Sequence, residues 1–125
     1  MSTRSLIHFI DSEGNKVSTY RHYDGYPEAV LPELEAFLKW NGGRNDDLSY
    51  TIANYFYYMK KTRVEKSKKD DFYKKANKAD RERMLRNYNE LTGFGLCIGG
   101  ITDCGQEFEY EVHLPTATIK VVAPI

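Results

Sequence analysis

Apolar and polar positions alternate near both ends of the chain and recur at helical spacing in between. Residues 3–10 (TRSLIHFI) are rich in β-formers, residues 11–16 (DSEGNK) form a turn cluster, and residues 17–23 read as a second strand, so the chain opens with a hairpin. Closing the turn between Asp11 and Lys16 pairs Ile10 with Val17, His8 with Thr19, Leu6 with Arg21 and Arg4 with Tyr23. That register gathers Arg4, His8, Arg21 and Tyr23 on one face and Ile7, Phe9, Tyr20 and His22 on the other, and a slip of one residue re-sorts them.

Asp24-Gly25-Tyr26-Pro27 ends the hairpin and turns the chain toward a helix. Pro32 suits a first helical position, Leu34, Phe37 and Leu38 make its apolar stripe, and Gly42-Gly43 ends it. Asn45 or Asp46 is placed to cap the next helix, whose stripe is Leu48, Ile52, Tyr55, Phe56 and Met59. From residue 60 to 79 the apolar signal thins to Val64, Phe72 and Ala76, which fits either a solvated helical extension or a loose connection. Asp80 then reads as a further N-cap before Met84, Leu85, Tyr88 and Leu91, with Gly93 as the stop.

Strand periodicity returns after Gly93. Residues 94–101 set Phe94, Leu96 and Ile98 against glycines and Cys97, and residues 102–106 make a turn. Residues 107–114 alternate most cleanly, with Phe108, Tyr110, Val112 and Leu114 facing in and Glu107, Glu109, Glu111 and His113 facing out. Pro115-Thr116 turns into Ile119, Val121 and Val122. The predicted fold is therefore α+β in one domain over residues 1–125. It comprises an N-terminal β-hairpin, two or three central helices and a C-terminal three-stranded antiparallel β-meander.

Composition changes this picture in two ways. With 41% hydrophobic and 14% aromatic residues the chain has the means to bury a core, and no run reaches the roughly 18 apolar residues a membrane helix needs. Met-Ser-Thr-Arg is followed by no signal-peptide core, and the two cysteines, Cys97 and Cys104, lack zinc-ligand spacing. The expectation is a cytoplasmic protein with free thiols, no membrane association, no metal and no cofactor. Formal charge is zero overall, yet residues 60–86 carry twelve Lys or Arg against five Asp or Glu, an excess of seven positive charges. A split this sharp bears on partners.

The opening block, with Thr3-Arg4, an acidic Gly turn, Tyr20-Arg21 and Asp24-Gly25-Tyr26-Pro27, resembles a family of small phage and prokaryotic proteins. The segment GQEFEYEVHL is similar to that family's acidic, aromatic penultimate strand. The resemblance covers about half the chain and leaves the lysine-rich middle unmatched. It implies a setting, a mobile element acting in the host cytosol, and no mechanism.

Several constellations carry chemistry. Arg4 and Arg21, with His8 and Tyr23 and the adjoining Asp24 and Tyr26, would form an anion site in which guanidinium forks take a phosphate and a ring stacks on a base. The plainer alternative has both arginines paired with Asp24 or Glu28, locking the hairpin to the first helix. For Asp24-Gly25-Tyr26-Pro27 a structural role in the turn is the simpler reading. Lys68, Lys69, Lys74, Lys75 and Lys78 suit a nucleic-acid or partner surface, with Tyr55, Tyr57, Tyr58 and Tyr73 near enough to stack. The row Glu107, Glu109, Glu111 has the complementary sign, and would meet those lysines within the molecule or across a homo-oligomer interface. With His113 that row offers weak metal-binding potential. His8 and His22 fall on opposite predicted faces, and Cys97 has no neighbour to lower its pKa, so catalysis is the least supported reading.

The leading expectation is a non-catalytic phage or mobile-element accessory protein, of the counter-defence kind, that binds an anionic phosphate-bearing ligand, a nucleotide signal or nucleic acid. The alternatives are an inhibitor docking on a host protein through charge and tyrosines, and a phosphodiester-processing enzyme using Arg21, His22 and Asp24.

Overall fold

A computed structural model describes residues 2–87, 93–98 and 104–124, the side chains of residues 85–87 excepted. Tyr88, Leu91, Ile101 and part of the 102–106 turn, all given roles above, lie outside the described residues. The chain resolves into two compact units, Met1–Asn54 with Gly93–Ile125, and Tyr55–Thr92.

The first unit is built on a five-stranded sheet in the order β3-β2-β1-β4-β5. Its strands are β1 (Ser5–Ile10), β2 (Lys16–Arg21), β3 (Phe94–Leu96), β4 (Phe108–His113) and β5 (Thr118–Ala123). The expected hairpin is present as β1 antiparallel to β2, and β4 and β5 form a second antiparallel pair. The C-terminal meander is not continuous. β3 stands at the opposite edge on β2, while β4 runs parallel to β1, which makes the sheet mixed. The reason lies in β1: Leu6, Ile7 and Phe9 are all fully buried, so this strand has apolar side chains on both faces and takes the centre of the sheet. Arg4 O accepts the backbone N–H groups of Glu107 and Phe108, which starts β4 against the beginning of β1.

The first hairpin closes one residue earlier than expected. Asp11 Oδ1 accepts the N–H groups of Glu13 and Asn15 at 3.0 and 2.8 Å, and Asp11 N donates to Asn15 O. The Asn15 side-chain amide, with these backbone donors, holds the Asp11 carboxyl below its ordinary range. Ile10 therefore faces Lys16, His8 faces Ser18 and Ser5 faces Arg21. A one-residue slip exchanges the faces of β2, and the four residues expected to share a face do not.

Helix α1 (Pro27–Asn41) starts at Pro27 rather than Pro32, because Tyr26 is the extended residue at its N-terminus; Pro32 lies inside the helix. Gly42, at φ 54°, ends it as expected. The helix covers one face of the sheet, with Phe37 edge-on to Phe9 at 6.3 Å and Val30, Leu34 and Leu38 buried. Tyr110, Val112 and Leu114 are buried, as their alternation requires. A 3₁₀ turn (Gly42–Asp46) leads to α2 (Leu48–Lys69), capped by Asp47, whose carboxylate accepts Tyr50 N–H, rather than by Asn45 or Asp46. Asn45 is used elsewhere: Asn41 Nδ2 donates to Asn45 Oδ1 and to Thr51 Oγ1, and Asn54 Nδ2 donates to Asn41 Oδ1, a polar cluster that fixes the α1–α2 corner.

The second unit holds the rest of α2, then α3 (Asp71–Lys75) and α4 (Lys78–Asn87). Residues 60–69 thus continue the helix. Asp70 caps α3 by accepting Phe72 N–H at 2.8 Å. Asn77, not Asp80, caps α4, its Oδ1 accepting Asp80 N–H. Among the described residues no helix is long and apolar enough to cross a membrane.

Candidate functional site

The hairpin does not assemble the expected two-arginine face. Arg21 is 3% exposed and lies on the helix-covered face with Ile7, Phe9 and Thr19, opposite His8. Its Nε donates to Tyr23 O and its Nη1 to Glu33 Oε2, both at 2.8 Å, and its guanidinium lies over the Phe94 ring. Arg21 locks the hairpin to α1, through Glu33 rather than Asp24 or Glu28. Arg4 and Tyr23 are exposed, the Tyr23 ring standing edge-on to His22. Asp24 is exposed at φ 54° and Tyr26 precedes α1. Gly25 is the constrained member of this turn: it is buried, its N–H bonds Thr3 O, its carbonyl accepts the Tyr110 hydroxyl, and a Cβ would sit 2.6 Å from Thr3 O. Burial pushes the Tyr110 phenol up to about 12, the Arg21 charge opposing the shift and Glu28 adding to it.

The other face of the sheet holds polar chemistry that the expected register concealed. His8, 6% exposed, bonds Ser18 Oγ through Nδ1 at 2.6 Å and Glu109 Oε1 through Nε2 at 3.1 Å. Nearby on that face Tyr20 Oη bonds His22 Nδ1 at 2.6 Å, and His113 Nε2 meets Glu111 Oε1 at 3.2 Å. All three histidines of the chain are thus hydrogen-bonded on one side of the sheet, and two of the three glutamates in the row have histidine partners there. A serine–imidazole–carboxylate chain is the arrangement that activates a nucleophile. Acyl transfer also needs donors aimed at a developing oxyanion. Ser18 lies within β2, its carbonyl accepting Cys97 N–H, and the trio forms a partly buried polar cluster whose members hydrogen-bond one another. Among the described residues no group of three His, Cys, Asp or Glu side chains is placed to hold a metal ion. The Cys97 thiol is pushed up by burial and by its contact with the Cys104 thiol, which works against thiolate chemistry.

The helical unit keeps its positive charge available. Lys61 pairs with Glu65 at 3.2 Å, Arg83 with Asp80 at 2.7 Å, and Lys78 reaches Glu82 only at 4.0 Å. Arg81 donates to the carbonyls of Tyr73 and Lys74 and lies over the Tyr73 ring, clamping α3 to α4. Lys66, Lys68, Lys69, Lys74 and Lys75 are exposed and form no ion pair among the described residues. Of the tyrosines expected to stack, Tyr55 is buried, Tyr58 is half-buried, Tyr73 lies beneath Arg81 and Tyr57 is exposed. Among the described residues the most open ring is Phe72, at 74% exposure, which the sequence pattern counts as weak core signal. Its flanks in KKDDFYKK, which leave the small Ala76 as its apolar neighbour at helical spacing, are the feature that identifies it.

No protein family, no curated protein and no solved structure matches the chain.

Proposed function

We propose that this is a nucleic-acid-binding protein whose contacts come from the helical unit. The observation that carries this reading is the set of five exposed lysines, Lys66, Lys68, Lys69, Lys74 and Lys75, with no ion-pair partner among the described residues. Unpaired ammonium groups at this density repel one another, and a phosphate backbone relieves that repulsion while releasing condensed counterions. A lone nucleotide is better matched to an enclosed pocket with converging polar groups. The lysines instead spread along successive helical segments, which suits a polymer. The hairpin supports the same preference, since Arg21 is occupied by Glu33 and Tyr23 O. In the mobile-element setting implied by the opening block, the polymer would be host or invading nucleic acid.

The test is fluorescence anisotropy with a labelled mixed-sequence oligonucleotide. Replacing Lys68, Lys69, Lys74 and Lys75 by Gln should weaken binding by an order of magnitude or more. Arg21→Met should leave it unchanged. Equal affinity for the lysine variant and the wild type would remove the basis of the proposal.

A further inference from the structure

Resting on that reading, we propose that the polymer is single-stranded and that Phe72 is the platform on which one of its bases stacks. Phe72 is 74% exposed and touches no other ring among the described residues. A phenyl group this open forgoes the gain of burial, and a stacked base restores it. The ring stands between two clefts that share Phe72 and Met84 as walls. One, of about 260 Å³, is bordered by Lys66, and the other, of about 410 Å³, by Lys75. A base on Phe72 therefore has an unpaired ammonium on either side for its flanking phosphates.

The acids beside these clefts are mostly engaged. Asp70 accepts Phe72 N–H and Asp80 is paired with Arg83. Asp71 alone has no partner among the described residues, and it opposes phosphate. The strand preference follows from access. Bases in a duplex are already stacked on one another and present only their edges, whereas a single strand offers open π-faces. Every base has such a face, so sequence selectivity should be slight.

The experiment titrates the full chain against a labelled 15-mer single strand and the corresponding duplex, with wild type, Phe72→Ala, Phe72→Trp and Asp71→Asn. The single strand should bind at least tenfold more tightly than the duplex. Phe72→Ala should weaken single-strand binding roughly 5- to 100-fold, with little effect on the duplex, and Phe72→Trp should retain affinity. Asp71→Asn should tighten both. Because Phe72 is exposed, its replacement does not threaten folding, and the melting temperature checks this directly. Equal binding of both forms, indifferent to Phe72, would overturn the stacking inference and leave the nucleic-acid reading standing. Binding of neither form would overturn both. Competition by poly-glutamate as effective as by nucleic acid would assign the surface to an acidic protein. A dimer that dissociates on Phe72→Ala would assign it to a second copy of the chain. Either result counts against the inference.

Discussion

Removing Glu33 should harm this protein more than removing Arg21, although the two form one ion pair. Arg21 is 3% exposed, while the Glu33 side chain retains 36% of its exposure. Glu33→Ala strands a buried guanidinium that keeps, among the described residues, only the Tyr23 carbonyl and the Phe94 ring. Leaving one member of a buried pair uncompensated costs about 3–5 kcal/mol, and the two remaining contacts place this case near the lower end. Arg21→Met leaves the apolar stem in place and a carboxylate that water can reach, so the loss is about 1–2 kcal/mol of hydrogen bonding. The double variant Arg21→Met/Glu33→Ala should fall close to Arg21→Met alone, giving a coupling about equal to the Glu33→Ala loss, about 3 kcal/mol. Urea unfolding at pH 7, with unchanged m-values, measures all four corners of the cycle. If Glu33→Ala costs less than Arg21→Met, Arg21 is not held as a buried structural charge, and the hairpin regains its claim as an anion site.

Two further outcomes follow from the turn after β2. Gly25→Ala places a Cβ 2.6 Å from Thr3 O and 2.8 Å from Ser5 Cβ, and strains the bonds to Thr3 and Tyr110; a loss of about 3 kcal/mol is expected, seen as a drop of roughly 10 °C in melting temperature. Tyr110 has its phenol raised to about 12 by burial, so the native state holds this proton more tightly than the unfolded chain does. Its contribution is complete below pH 10 and is lost as pH rises through 12, by up to about 3 kcal/mol. Tyr110→Phe should flatten that alkaline decline, and an unchanged decline would rule out Tyr110 as its source.

Much of the fold was legible because it rests on local rules. The alternation that buries Tyr110, Val112 and Leu114 and the stop at Gly42 both hold in the structure, while Phe108, at the start of β4, is only half-buried. What escaped depends on atoms that a pattern does not weigh. The Asp11 carboxylate captures two N–H groups and shifts the hairpin by one residue, which separates His8 from Arg21 and brings His8 to Ser18. The mixed sheet was available in principle. The run Leu6, Ile7, Phe9 has no polar face in the way that an edge strand does, and a strand buried on both faces needs a neighbour on each side. Parallel pairing with β4 supplies one of them. For the candidate site the charge excess of residues 60–86 was visible, but which lysines stay unpaired was not. That depends on helix boundaries set by Asp70 and Asn77, and the same boundaries leave Phe72 in solvent.

The central claim, that unpaired lysines in the helical unit meet phosphates, is tested most directly by the salt dependence of binding. With all five of Lys66, Lys68, Lys69, Lys74 and Lys75 engaged, the plot of log K against log salt for a single-stranded oligonucleotide should have a slope of about −3.5, falling by about 0.7 for each lysine converted to Gln. A slope shallower than about −1, or one unmoved by those substitutions, would contradict it.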